Sequence, residues 1–107
     1  MYIADGKTNG PAFSWPDGKR IAVMVTFDYD AEFLRISRAK SKGTTIGFTD
    51  FSRGQYGPHE GLARCLDMLD TMNIKSTFFV PGAVIETYRD TVEEIHRRGH
   101  ELACHGY

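Results

Sequence analysis

Cysteine is scarce in this 107-residue chain, and the two present, Cys65 and Cys104, stand far apart with no Cys-x-x-Cys spacing. That argues against a disulfide framework and a thiolate zinc site, and predicts two buried thiols in a reducing compartment. Charge of one sign is not in excess either, since the formal net charge is -1. A surface that tracks phosphates needs a surplus of Lys and Arg, so nucleic acid is not an expected partner. The local basic run Arg35, Arg38, Lys40 and Lys42 reads as a solvated loop. No stretch approaches the ~18 continuous apolar residues of a membrane span. The first twenty residues, with Asp5, Gly6, Lys7, Asn9, Gly10 and Pro11, lack the apolar core of a signal peptide. The expectation is one small cytoplasmic domain with no membrane partner.

What is present is a strand-and-helix alternation. Ile21 to Phe27 is apolar and rich in β-branched residues, which predicts a buried parallel strand. Tyr29 to Pro58, broken by Gly43, Gly47, Gly54 and Gly57, reads as a long connection lying over the end of that strand. Leu62, Leu66, Leu69 and Met72 form the apolar stripe of a helix that begins after Pro58 and ends near Asn73. Ser76 to Val80 is a second strand, stopped by Pro81-Gly82. Asp90 and Glu93 have the spacing of a capping box, Val92 and Ile95 give the stripe of a second helix, and Gly99 suits a left-handed C-terminal cap. Glu101 to His105 is the third strand. The order implies an α/β fold with parallel pairing, preceded by an extension over residues 1–20. Three such strands would leave two open sheet edges and one bare face, which predicts a piece of a larger domain.

Ligands and chemistry collect at the carboxyl ends of parallel strands. Asp28 and Asp30 lie two apart at the end of the first strand, so both project to one face with Tyr29 on the other. His105 ends the third strand. Two neighbouring carboxylates raise each other's proton affinity unless a cation or an oriented donor intervenes. A metal would resolve that conflict, with one carboxylate binding it and the other acting as base. The same pattern also suits strand-end acids that cap loop amides, with His105 packed as a satisfied polar residue. Arg53 and Tyr56, in the connection above the strand end, are candidates to grip a polar substrate, with loop packing as the alternative. Glu32 reads as a second partner of the site or a surface acid. His59 and His96 read as exposed, His100 as structural, and Cys104 as a core thiol facing away from His105.

Three segments together resemble a known family. Thr26-Phe-Asp-Tyr-Asp-Ala-Glu32, Ser76-Thr-Phe-Phe-Val-Pro-Gly82 and Arg98-Gly-His-Glu-Leu-Ala-Cys-His-Gly-Tyr107 are similar, in order and rough spacing, to the first segments of the polysaccharide deacetylases, carbohydrate esterase family four. The resemblance runs from Trp15 onward. It implies that residues 21–107 are the N-terminal β-α-β-α-β portion of an irregular parallel β/α barrel, truncated here. It also implies hydrolysis of an N-acetyl or related amide with a divalent metal, zinc foremost. Asp28 matches the catalytic base, Asp30 the metal carboxylate and His105 the first metal histidine.

Many members place the two aspartates side by side, whereas Tyr29 separates them here, as in a branch with cytoplasmic deacetylase-like and allantoinase-like members. The second family histidine would follow His105 by four residues, beyond Tyr107. The expected substrate is a small amide, a cyclic ureide or an N-acetyl sugar. Two alternatives stand beside the metal-dependent reading: a metal-free ureide hydrolase, and a noncatalytic fragment or binding module. The fragment alone is expected to be inactive.

Overall fold

The computed structural model describes residues 14–107, so most of the N-terminal extension lies outside the described residues. Three parallel strands pair in sequence order: β1 (Thr26–Asp28), β2 (Thr77–Val80) and β3 (Glu101–Cys104). The register aligns Asp28 with Phe79 and Phe79 with Ala103. Because side chains alternate along each strand, this register divides the sheet into two unlike faces. Phe27, Tyr29, Phe78 and Val80 point to one face, Asp28 and Phe79 to the other.

Between the strands run five helices: α1 (Phe33–Ser41), α2 (Phe48–Tyr56), α3 (Leu62–Thr71), α4 (Gly82–Thr87) and α5 (Arg89–Arg97). Tyr29, Phe78 and Val80 form a core with Leu62, Leu66 and Leu69 of α3, Val84 of α4, and Val92 and Ile95 of α5. The expected α3 and α5 stripes therefore bury as read, except that Met72 sits past the end of α3 and is exposed. Arg98, at the end of α5, bonds Glu94 on its own helix and Asp67 and Asp70 on α3, tying the two covering helices together. Gly99 takes the expected left-handed conformation, with φ at 81°.

The structure corrects several expectations. The connection from Tyr29 to Pro58 is largely helical, and the basic run Arg35, Arg38, Lys40 lies on α1 rather than in a loop. The helix read after Pro58 begins at Leu62 as expected, and Pro58 itself sits in a π-helical turn, Gly57–Gly61, that joins α2 to α3. The first strand is not buried along its length. Only Thr26–Asp28 pair, and Ile21, Val23 and Met24 are exposed, because β1 has a neighbour on one side only among the described residues. Asp90 is not a helix cap. α5 starts at Arg89, so Asp90 falls in its first turn, where its charge still suits the helix dipole. Cys104 is exposed on an edge strand, not buried, and Cys65 is half-buried. No helix among the described residues is long and apolar enough to cross a membrane.

His100 is structural, as expected. It is buried against Phe78, with ring centroids 5.5 Å apart, and its Nδ1 accepts the backbone N–H of Ser76 at 3.2 Å. Burial pushes its pKa below the ordinary histidine value, reinforced by the charge of Lys75. The sign follows from linkage. The unfolded chain takes up a proton near pH ~6.5 while the folded one resists, so this residue costs stability as pH falls through that value and down to the depressed folded pKa. We expect His100→Asn, whose amide oxygen can still accept from Ser76, to show a shallower loss of melting temperature between pH 7 and pH 5.5 than the wild type. Parallel profiles for the two proteins would contradict it.

Candidate active site

The polar face of the sheet carries the site. Asp30 and His105 each lie two residues beyond the aligned pair Asp28 and Ala103, so the alternation of the strands sends Asp28, Asp30 and His105 to one side. The structure brings these three together. His105 Nε2 is 3.4 Å from Asp30 Oδ1 and 3.9 Å from Asp28 Oδ1, and the His105 ring stands edge-on to Phe79 with centroids 6.3 Å apart. Tyr29, between the two acids, turns into the core. Its hydroxyl bonds Thr91 Oγ1 at 2.8 Å, and burial pushes its pKa up to about 12.

The two carboxylates are not equivalent. The side chain of Asp30 is 21% exposed and that of Asp28 64%. Asp30 is thus the sheltered group nearest the imidazole, and Asp28 the one open to water. The turn that delivers Asp30 is strained: Ala31 has φ at 50°, a left-handed conformation that costs a non-glycine residue on the order of 1 kcal/mol.

A metal fits these donors. Bonds of about 2.1 Å at a tetrahedral angle set two ligands about 3.4 Å apart. The Asp30 to His105 separation, 3.4 Å, has that value. A hard carboxylate oxygen with an imidazole nitrogen is also a donor pair suited to zinc. Among the described residues no group of three or more His, Cys, Asp or Glu is placed to hold a metal ion, so the fit rests on the Asp30 and His105 pair alone.

Beside the cluster lies an open cavity of about 760 Å³, with Asp30 and His105 in its lining. Phe33 and Leu34 of α1, and Pro81 and Ala83 at the start of α4, supply apolar wall, while Lys40 and Glu86 supply charge. Arg53 and Tyr56 are not in that lining. Both are exposed on α2, and the Tyr56 ring lies against Gly61. Glu32 is not a surface acid: it is 4% exposed and accepts the Tyr88 hydroxyl at 2.8 and 3.0 Å. Sequence reasoning missed Tyr88, which reaches Glu32 from 56 residues away with no local signal.

Fold and cluster together define a parallel α/β protein with two acids and an imidazole at its strand ends. Comparison with known proteins makes this specific. A family model for polysaccharide deacetylase matches residues 16–107, and the chain belongs to that family. It is 31% identical over 91 residues to the peptidoglycan deacetylase-like protein FGM2 of Gibberella zeae, a match covering 83% of this chain and 26% of that protein. It is 36% identical over 58 residues to the peptidoglycan deacetylase of Helicobacter pylori, covering 54% of this chain and 20% of that one. The crystal structure of a "putative polysaccharide deacetylase" from Mycobacterium smegmatis superposes with a TM-score of 0.75 at 41% identity, over 92% of this chain and 34% of that one. The chain thus spans a fifth to a quarter of the length of the curated relatives it matches.

Proposed function

We propose that the whole protein is a hydrolase that removes the acetyl group from an N-acetylated sugar, with Asp28 as general base and Asp30 and His105 as ligands of a divalent metal, zinc foremost. The observation that carries this reading is the convergence of His105 on both acids, at 3.4 and 3.9 Å, beside an open cavity. The family supports deacetylation, and the relatives named for peptidoglycan favour a sugar amide over a cyclic ureide.

A cation held there would supply Lewis acidity to the acyl oxygen and make a water more acidic. The chain's own residues do the rest. Asp28, open to solvent, takes the proton of the attacking water as its oxygen adds to the acyl carbon; the C–N bond then breaks, the sugar nitrogen takes up a proton and acetate leaves. Asp30, sheltered and close to His105, is presented by the left-handed turn at Ala31. Phe33, Leu34 and Pro81 offer apolar surface to a sugar ring, and crowd out part of the water around the scissile amide.

Metal content decides this reading. Stoichiometric zinc in the whole protein, with affinity reduced at least 100-fold in both Asp30→Ala and His105→Ala, is the expected result. Absence of bound metal after zinc is supplied in excess, or unchanged affinity in both variants, would remove the metal-dependent reading.

A further inference from the structure

A carboxylate rarely sits buried without a partner, and Glu32 sits two residues from Asp30 at 4% exposure. What holds it is a single phenol. Tyr88, at the junction of α4 and α5, donates its hydroxyl to the Glu32 carboxylate at 2.8 Å to Oε1 and 3.0 Å to Oε2. No salt bridge to Glu32 occurs among the described residues, so this charge-assisted bond is its principal anchor. Burial and the bond to Glu32 both raise the Tyr88 pKa, so the phenol stays a donor.

The backbone around Glu32 is equally constrained. Ala31 is left-handed at φ 50°, and α2 presses against the turn at Gly54, where an added Cβ would lie 2.7 Å from the Glu32 Cβ. A strained turn persists only where its surroundings over-determine it. Here those surroundings are Gly54 on one side and Tyr88 on the other.

We propose that Glu32 and Tyr88 form a latch that positions Asp30, holding the Asp30-Ala31-Glu32 turn so that the Asp30 carboxylate stays aimed at His105. Both are positioning residues, and the inference rests on the reading of Asp30 as a metal ligand. The latch has a purpose that core packing does not supply. Leu66, Phe78 and Ile95 would bury without it, whereas the Asp30-Ala31-Glu32 turn, closed by the Phe33 N–H to the Asp30 carbonyl at 3.1 Å and with Ala31 packed on the core, has its side-chain anchor in the Glu32–Tyr88 bond.

The test uses the whole protein with Tyr88→Phe, Glu32→Gln and, as a control, Val92→Ala, which loosens the same core on α5 without contact to the Glu32 carboxylate. Two readouts are compared: amide hydrogen exchange of residues 31–36 in metal-free protein, and zinc affinity. In Tyr88→Phe, exchange in that segment should rise at least tenfold and zinc affinity should fall about 10- to 100-fold, the usual cost of removing an outer partner of a metal ligand. Glu32→Gln keeps an accepting oxygen and should lie between Tyr88→Phe and wild type. Val92→Ala should lower the melting temperature while leaving both local readouts within twofold. Unchanged exchange over residues 31–36 in Tyr88→Phe, or an equal rise in Val92→Ala, overturns the latch. Raised exchange in Tyr88→Phe alone, in a wild type that binds no zinc, supports the latch and removes the metal reading of Asp30 instead.

Discussion

Asp28→Asn is expected to cut the turnover number for acetate release from an N-acetylated glycan by about 10²- to 10⁴-fold, the usual contribution of a positioned general base. Zinc affinity should change less than tenfold. The substitution keeps the shape of the side chain and removes its capacity to accept a proton at neutral pH. That separation between rate and binding is what distinguishes Asp28 from Asp30. Asp28 stands 3.9 Å from His105 Nε2 with most of its side chain in water, a place from which it can meet an incoming water molecule. Asp30 is 3.4 Å from the same nitrogen and largely sheltered, so its replacement should strip the metal and the rate together. With Asp28 as the proposed base, the loss falls on a group acting in the transition state, so the turnover number and the specificity constant should drop in parallel. An Asp28→Asn protein that retained a tenth of the wild-type rate would leave the base unassigned. One that lost its zinc would make Asp28 a ligand.

The part of this site readable from sequence was the part governed by strand alternation. A period of two places Asp28 and Asp30 together and sends Tyr29 the other way, and the structure has Tyr29 buried at 6% while both acids face His105. The α/β class and the order of the parallel strands followed from the same local patterns, since each strand and covering helix carries its own apolar period. What escaped was decided by contacts between distant segments. Gly54 read as a breaker, yet it lies inside α2 because the helix must approach Glu32 closely. Glycine lowers helix propensity by about 1 kcal/mol, a local penalty that a tertiary contact can override. Ile21 to Val23 read as buried strand because apolarity reports a capacity for burial, not the presence of a neighbour. Glu32 read as a second partner of the site or a surface acid, because nothing near it in sequence announces Tyr88. The mistaken expectation for Cys104 has the same origin: it faces away from His105 as alternation demands, but on an edge strand that face is open.

Phe78→Ala is expected to destabilise the protein by about 3 to 5 kcal/mol, measured by chemical denaturation, which is the range for emptying a well-packed aromatic site. Phe78 lies on the central strand and is 2% exposed. Its ring stacks on Phe27 at a centroid distance of 5.0 Å and an interplanar angle of 18°, and meets the edge of His100 at 5.5 Å. Its neighbours on the central and first strands are the backbone segments that lead directly to Asp28 and Pro81. The central strand is hydrogen-bonded on both sides and β1 on one, so they cannot close around the void without straining the parallel ladder, and little of the cavity should be recovered by relaxation. With total stabilities of about 5 to 15 kcal/mol, a loss of this size consumes roughly a fifth or more of what holds a domain folded. Phe78→Leu should cost distinctly less, because it restores most of the lost volume while giving up the aromatic stacking. A Phe78→Ala protein within 1 kcal/mol of wild type would mean that the face formed by Phe27, Tyr29, Phe78 and Val80 is not the chief core of this fold. The division of the sheet into an apolar face that stabilises and a polar face that carries Asp28, Asp30 and His105 would then need revision.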